Sequence, residues 1–310
     1  MKSCLVFAFA AIAVVAMSDS VRADNQKITL GYTAIGDCVA SFAAKEQGFF
    51  AKRGLDVDFQ VVNNSGILAT DVASGAMEAG CDVPPVLLQA IDRGVDLVAI
   101  SGGSTSTPAL TQEAVVIKTG APIATGADFY GKKVGVGGIG SSGYVMFGAW
   151  LLKQHLDPKR VNFFEVPFST QYDLLQRGTV DAVISSDPML ARITSDKTGT
   201  VFTNLTAQMP ADTPIVIYIA TQAWRAKNPA AAAAVRDALA EGAKFVRQNP
   251  KLAQQYIAQY LKQPLSVVEE TQLSPQQPLL TEKQMQWWLD QMQKQGFVHS
   301  GIVLSRVIAK

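Results

Sequence analysis

The chain is short of charge, histidine and cysteine. Only 17% of its 310 residues are charged, two are histidine and three are cysteine. Residues 1–23 differ from the rest in composition, and without them the chain has lost Lys2, Arg22 and Asp19, leaving 25 basic against 25 acidic residues. A neutral chain with no basic cluster excludes nucleic acid and anionic membrane surfaces as partners. His155 and His299 stand alone, with no nucleophile or metal partner near them in sequence. H-E-x-x-H, G-x-S-x-G, C-x-x-C and the phosphate-loop lysine are all missing, so no catalytic residue, metal site or cofactor is assigned and the chain reads as no enzyme.

No apolar run is long enough to span a bilayer. Cys4–Met17 is unbroken but has only 14 residues, against roughly 20 for a membrane helix. With Lys2 before it and Val21-Arg22-Ala23 after it, residues 1–23 read as a secretory signal peptide. Cys4 begins the run instead of ending it, which argues against a lipoprotein. Two cysteines then remain, Cys38 and Cys81. In an oxidising compartment they are either bridged or two buried thiols, and spacing alone does not choose.

The sequence is rich in alternation. Strand patterns at Lys27–Tyr32, Leu55–Val62, Ala79–Val83 and Asp96–Ile100 are separated by helical patterns, the third opened by Pro84-Pro85. Such alternation predicts an open parallel sheet with helices on its faces. Ser101–Pro108 follows as a polar, flexible stretch. A second alternating unit spans about 112–205, with strands at Ala114–Lys118, Lys133–Val136, Val161–Val166, Asp181–Ile184 and Val201–Leu205. After a loop at Ala207–Pro214 comes a strand at Ile215–Ala220. Helices then start at Asn228-Pro229 and Asn249-Pro250, and a last one covers Glu282–Gln295. Trp287 and Trp288 belong to its apolar face as core residues. Two units joined by two crossings, Ser101–Gln112 and Leu205–Ile215, make a cleft that opens and shuts on a hinge.

Within the second unit, Gly135, Gly137 and Gly140 satisfy G-x-G-x-x-G. A dinucleotide would need an acid about 20 residues on, at the end of the next strand. Asp157 precedes that strand and Glu165 comes late on it, so the fingerprint fits NAD poorly.

The ordered set LGYTAIGD, KEQGFFAKRGLDVDFQVV, ASGAMEAGCDVPPVLLQAIDRGVDLVAI, FYGKKVGVGGIGSSGYVMF and YDLLQRGTVDAVISSDPML covers most of residues 27–193. In this set the chain resembles the periplasmic substrate-binding proteins of ABC importers, in the nitrate, sulfonate, taurine and thiamine-precursor group. The resemblance implies a two-domain type II periplasmic-binding-protein α/β fold, each domain an open mixed sheet flanked by helices, with a hinged cleft between. Domain 1 would be discontinuous (24–108 and 212–310) and domain 2 inserted (109–211). It implies an exported monomer that captures a small polar or anionic organic solute, sulfonate-, carboxylate- or precursor-like, and hands it to an ABC permease. The other readings are a secreted enzyme related to pyrimidine-precursor synthesis and a ligand-sensing domain. One departure is visible: many relatives carry an aromatic-acid-Pro stretch where this chain has Ser185-Ser186-Asp187-Pro188.

Ligands of open α/β sheets bind beyond the carboxyl ends of the strands. Those ends nominate Gly36, Asp37, Asn64, Ser65, Gly66, Asp82, Ser104, Gly140, Ser141, Ser142, Gln171 and Asp187 as ligand-binding residues. Ser65, Ser141 and Ser142 stand at helix starts, where unpaired N–H groups can hold an anion without a charged side chain. No arginine or lysine lies in these loops. Asp37, Asp82 and Asp187 either cap helices, the commoner role, or face the cleft and disfavour a purely anionic ligand.

Overall fold

The computed structural model describes residues 25–299 and 301–309, so the signal-peptide reading of residues 1–23 lies outside the described residues. Ten strands form two five-stranded sheets: β1 Gln26–Thr33, β2 Leu55–Val62, β3 Ala79–Asp82, β4 Val98–Gly102, β5 Glu113–Lys118, β6 Lys133–Val136, β7 Asn162–Glu165, β8 Ala182–Ser186, β9 Gly199–Asn204 and β10 Ile217–Ala220. The first sheet has the order β2-β1-β3-β10-β4 and the second β7-β6-β8-β5-β9.

Both sheets are mixed, as the family resemblance implied and unlike the parallel sheet that the alternation alone predicts. β1, β2 and β3 run parallel, as do β7, β6 and β8. β10 is antiparallel to β3 and β4, and β5 is antiparallel to β8 and β9. The two exceptions are the strands that follow the crossings. Each enters its sheet without a crossover helix, and that helix is what holds neighbouring strands parallel. β10 is wholly buried on both faces, as its continuous apolar run requires.

The crossings lie side by side. Ser106 N–H donates to Thr213 O at 2.8 Å and Ile215 N–H to Ser104 O at 2.9 Å. Residues 101–106 are all buried, and Gly102 and Thr105 also donate to the backbone of Pro278 and Pro275. The stretch read as flexible is therefore a paired, covered ribbon. Its glycines are needed for close approach: a Cβ on Gly102 would stand 2.3 Å from Gln277 O, and one on Gly103 2.7 Å from Val216 Cγ2.

The C-terminal helices pack back on the first sheet. Helix Pro229–Gln248 crosses helix Val39–Glu46 so closely that a Cβ on Gly242 would meet Ala40 O at 2.1 Å. Helix Glu282–Lys294 reaches both helix Pro84–Asp92 and helix Ser142–Lys153. Trp288 is fully buried there and its indole N–H donates to Pro214 O at 2.7 Å. No helix among the described residues is long and apolar enough to cross a membrane.

Cys38 and Cys81 are joined by a disulfide, with Cα atoms 6.1 Å apart. The bridge ties the loop after β1 to the end of β3, beside Asp37 and Asp82. Closing a loop of 43 residues should contribute about 2–4 kcal/mol. Replacing both cysteines by alanine should lower the unfolding free energy by that amount in denaturant titration; an unchanged midpoint would contradict it.

Candidate functional site

The ends of the central strands carry buried acids. Asp37 sits in a short 3-10 turn after β1 and is 6% exposed; its Oδ1 makes no hydrogen bond, although the Ser104 and Ser274 hydroxyls stand beside the carboxyl. Burial pushes its pKa up, and those hydroxyls pull it only part of the way back. Asp187 follows β8, and its Oδ1 accepts Ala191 N–H at 3.2 Å in the first turn of helix Met189–Ser195, whose N-cap position is Pro188. Burial, with the Asp37 charge adding to it, lifts Asp187 to about 7. Asp187 thus hydrogen-bonds the first turn of the following helix from one residue before its N-cap. Capping does not describe Asp37, whose carboxyl makes no cap bond to the following helix.

Asp82 ends β3 and is 1% exposed. Its Oδ1 accepts Val83 N–H at 2.7 Å, and its Oδ2 has no hydrogen-bond partner in full geometry. Burial raises it to about 8, against which Ser65 gives a small stabilising contact. The cap of helix Ser65–Ser74 is Asn64, whose Oδ1 accepts Ile67 N–H at 2.9 Å, so Ser65 is not that cap.

The head of helix Ser142–Lys153 holds an acid that the strand pattern left unread. Glu113, the first residue of β5, is 3% exposed, and its Oε2 accepts the Ser142 hydroxyl at 3.0 Å, with the Gly143 backbone N–H close by. Burial raises it to about 8, and the Asp37 charge pushes the same way. A helix N-terminus favours a negative group, and here the chain supplies its own. Ser141 occupies the N-cap without making a side-chain cap bond.

The glycine turn before this helix is filled by side chains. A Cβ on Gly135 would meet Val166 at 2.8 Å and one on Gly137 the Phe168 ring at 2.5 Å. Gly140 has φ +81°, the left-handed region open to glycine, and its carbonyl accepts Gln89 Nε2–H at 2.9 Å. With side chains against the glycines and Glu113 at the helix head, a pyrophosphate has no seat.

The sequence-derived residues separate into several places. Gly36, Asp37 and Asp187 line one small cavity of about 20 Å³, closed by Gln112, Ile257 and the loop Thr271–Ser274. Ser104 borders Asp37, and the Ser142–Glu113 pair lies within range of its charge. Asn64 and Ser141 meet across Gly138, whose added Cβ would lie 3.6 Å and 3.7 Å from their Cβ atoms. Gly66 lines a separate hollow with Gln89 and Ile139. Gln171 is fully buried under the second sheet, Nε2 donating to Ile184 O at 2.9 Å. Both histidines are exposed, and His299 pairs with Asp92 at 2.8 Å.

Elements of the two sheets touch over the small cavity. Gly36 N–H donates to Asp187 O at 2.9 Å, and Gln89 reaches Gly140 across the same gap. A larger groove of about 510 Å³ opens beside the loop after β1, walled by Tyr32, Phe59, Phe168 and Tyr260, with exposed Lys262 on it.

Residues 36–253 match the NMT1/THI5-like family, more than two thirds of the chain. The chain belongs to that family. A Brucella abortus (strain 2308) protein named only as a binding protein is 26% identical over 243 residues, 77% of this chain and 73% of that one. The nitrate/nitrite binding protein NrtA of Nostoc sp. (strain PCC 7120) is 24% identical over 250 residues, 74% of this chain and 56% of its own. Among solved structures, the alkanesulfonate-binding protein SsuA from Xanthomonas axonopodis pv. citri, bound to MOPS, superposes with TM-score 0.78 at 18% identity, covering 93% of this chain and 99% of that one. The NMT1/THI5-like chain therefore has the periplasmic-binding-protein fold.

Proposed function

We propose that this NMT1/THI5-like chain is the solute-binding component of an ABC importer. It captures a small polar solute in the gap between its two sheets and presents it to a membrane permease. The relatives named above are binding proteins for nitrate or nitrite and for alkanesulfonate. The chain works by binding, and its chemistry is non-covalent. The observation that carries the reading is the chamber. Contacts between the two sheets' loops close it, and a buried polar atom at its wall, Asp37 Oδ1, is left without a partner, as is the Ser104 Oγ behind it. Such atoms are costly unless something completes them.

In this reading residues 24–108 and 212–310 form one lobe and 109–211 the other, and the paired crossings form the hinge. The protein acts as a monomer in the periplasm after removal of residues 1–23. The test is to recover the protein from the periplasm, weigh it, and titrate it with sulfonates, carboxylates, nitrate, amines and pyrimidines while following tryptophan fluorescence. Trp150 lies on the helix that begins at Ser142, and Trp288 is buried against the second crossing at Pro214. A mass starting at Asp24 and a saturable response to one solute class are expected. An uncleaved protein, or one deaf to every class, would sink the proposal.

A further inference from the structure

The cavity beside Asp37 is walled by carboxylates with no base to answer them. Asp37 and Asp187 line it, no lysine, arginine or histidine does, and Glu113 stands behind, coupled to Asp37 by charge. The hydroxyl of Tyr218, hydrogen-bonded to Cys38 O at 3.3 Å, is the remaining titratable group that feels Asp37. The helix head that could have welcomed an anion is already filled by Glu113. An anion entering here would meet three acids and no cation.

A second, independent feature points to what would be welcome. Asp37 is more than nine-tenths buried, lines the cavity, and has one oxygen with no hydrogen-bond partner. The space beside it, about 20 Å³, admits a group the size of a water molecule, which needs roughly 10–15 Å³. An ammonium group has that size and three donors. A metal ion fits less well: among the described residues no three His, Cys, Asp or Glu side chains converge to hold one.

We propose that the captured solute carries a protonated amine, which enters the chamber and donates to Asp37 and Asp187 while Glu113 adds charge from behind. This rests on the solute-binding reading and names its ligand class. Burial keeps these acids partly protonated in the empty chamber, so an ammonium ion that binds must expel protons.

The test uses the full chain and two probe sets: ethanolamine, butylamine and putrescine, against butanesulfonate, butyrate and butanol. Thermal unfolding and titration calorimetry are run in two buffers of different ionisation heat. At least one amine is expected to stabilise the protein and to release protons at pH 7. Asp37→Asn and Asp187→Asn, each still folded by circular dichroism, should weaken that amine at least about tenfold, since removing one partner of a buried charge pair is costly. Having lost a buried acid, the unliganded Asp37→Asn chain should melt no lower than wild type at pH 8. Stabilisation by the sulfonate or butyrate with no response to any amine overturns the amine proposal and leaves solute binding standing. Amine binding without proton release, or undiminished in both variants, also overturns it. Silence to both sets overturns the proposal and the solute-binding reading together.

Discussion

Raising the pH from 5 to 8 should destabilise the unliganded protein. Asp82 and Glu113 are lifted to about 8 and Asp187 to about 7, each chiefly by burial, and Asp37 is raised by the same cause. In the unfolded chain these carboxyls lose their protons near pH 4. Between that point and the folded values the native state binds more protons than the unfolded one, so stability falls as pH rises. The slope is up to about 1.4 kcal/mol per pH unit for each carboxyl that keeps its proton only in the folded chain. The loss is complete above about pH 8, where both states are ionised. The carboxyls held low, Asp92, Asp128 and Glu241, are partly exposed and act only below their ordinary range, so they do not offset this slope. Thermal unfolding across the range should show a falling midpoint, and Glu113→Gln should flatten the curve. A flat or rising profile would mean that these acids are ionised and compensated in the folded protein.

Gly143→Ala should damage the protein where an ordinary helix glycine would not. A Cβ at Gly143 would stand 2.3 Å from Glu113 Oε1 and 2.5 Å from Ile184 Cγ2. Both neighbours are buried, and Glu113 is anchored by Ser142. Helix propensity alone favours alanine by roughly 0.5–1 kcal/mol, but overpacking costs about 1–3 kcal/mol and breaks the Ser142–Glu113 contact. Stability should fall, and solute capture should weaken because the acid behind Asp37 has moved. Gly148→Ala in the same helix is the control. Its Cβ would meet only the end of Gln295, at 2.2 Å, a flexible side chain that can turn away. Gly148→Ala should be near neutral in the same melts; equal damage at both positions would contradict the argument.

Much of the fold was legible because alternation and proline-glycine punctuation are local signals. β1, β2 and β6 lie within a residue or two of the patterns that announced them. The direction of β5 and β10 was not legible, because it depends on where the chain re-enters a sheet. The crossing at 101–108 misled for a related reason: its serines and glycines look like a flexible linker, but the returning chain and the Pro275–Pro278 segment cover it. In the site, the aspartates were visible because they stand at strand ends among small residues. Glu113 escaped because it sits directly before the apolar AVVI run, a position read as outside the strand. A lone acid opening a wholly apolar strand was the signal available. The loop Thr271–Ser274, which closes the chamber, lies far along the chain in a stretch with no pattern to link it to β1.

Native mass spectrometry of protein freshly purified from the periplasm tests the central claim most directly. The account predicts a single non-covalent adduct, lost on denaturation, whose released mass belongs to one small nitrogen-bearing solute and which Asp37→Asn no longer carries. Bare protein before and after incubation with a periplasmic extract would contradict capture in the acid-walled chamber.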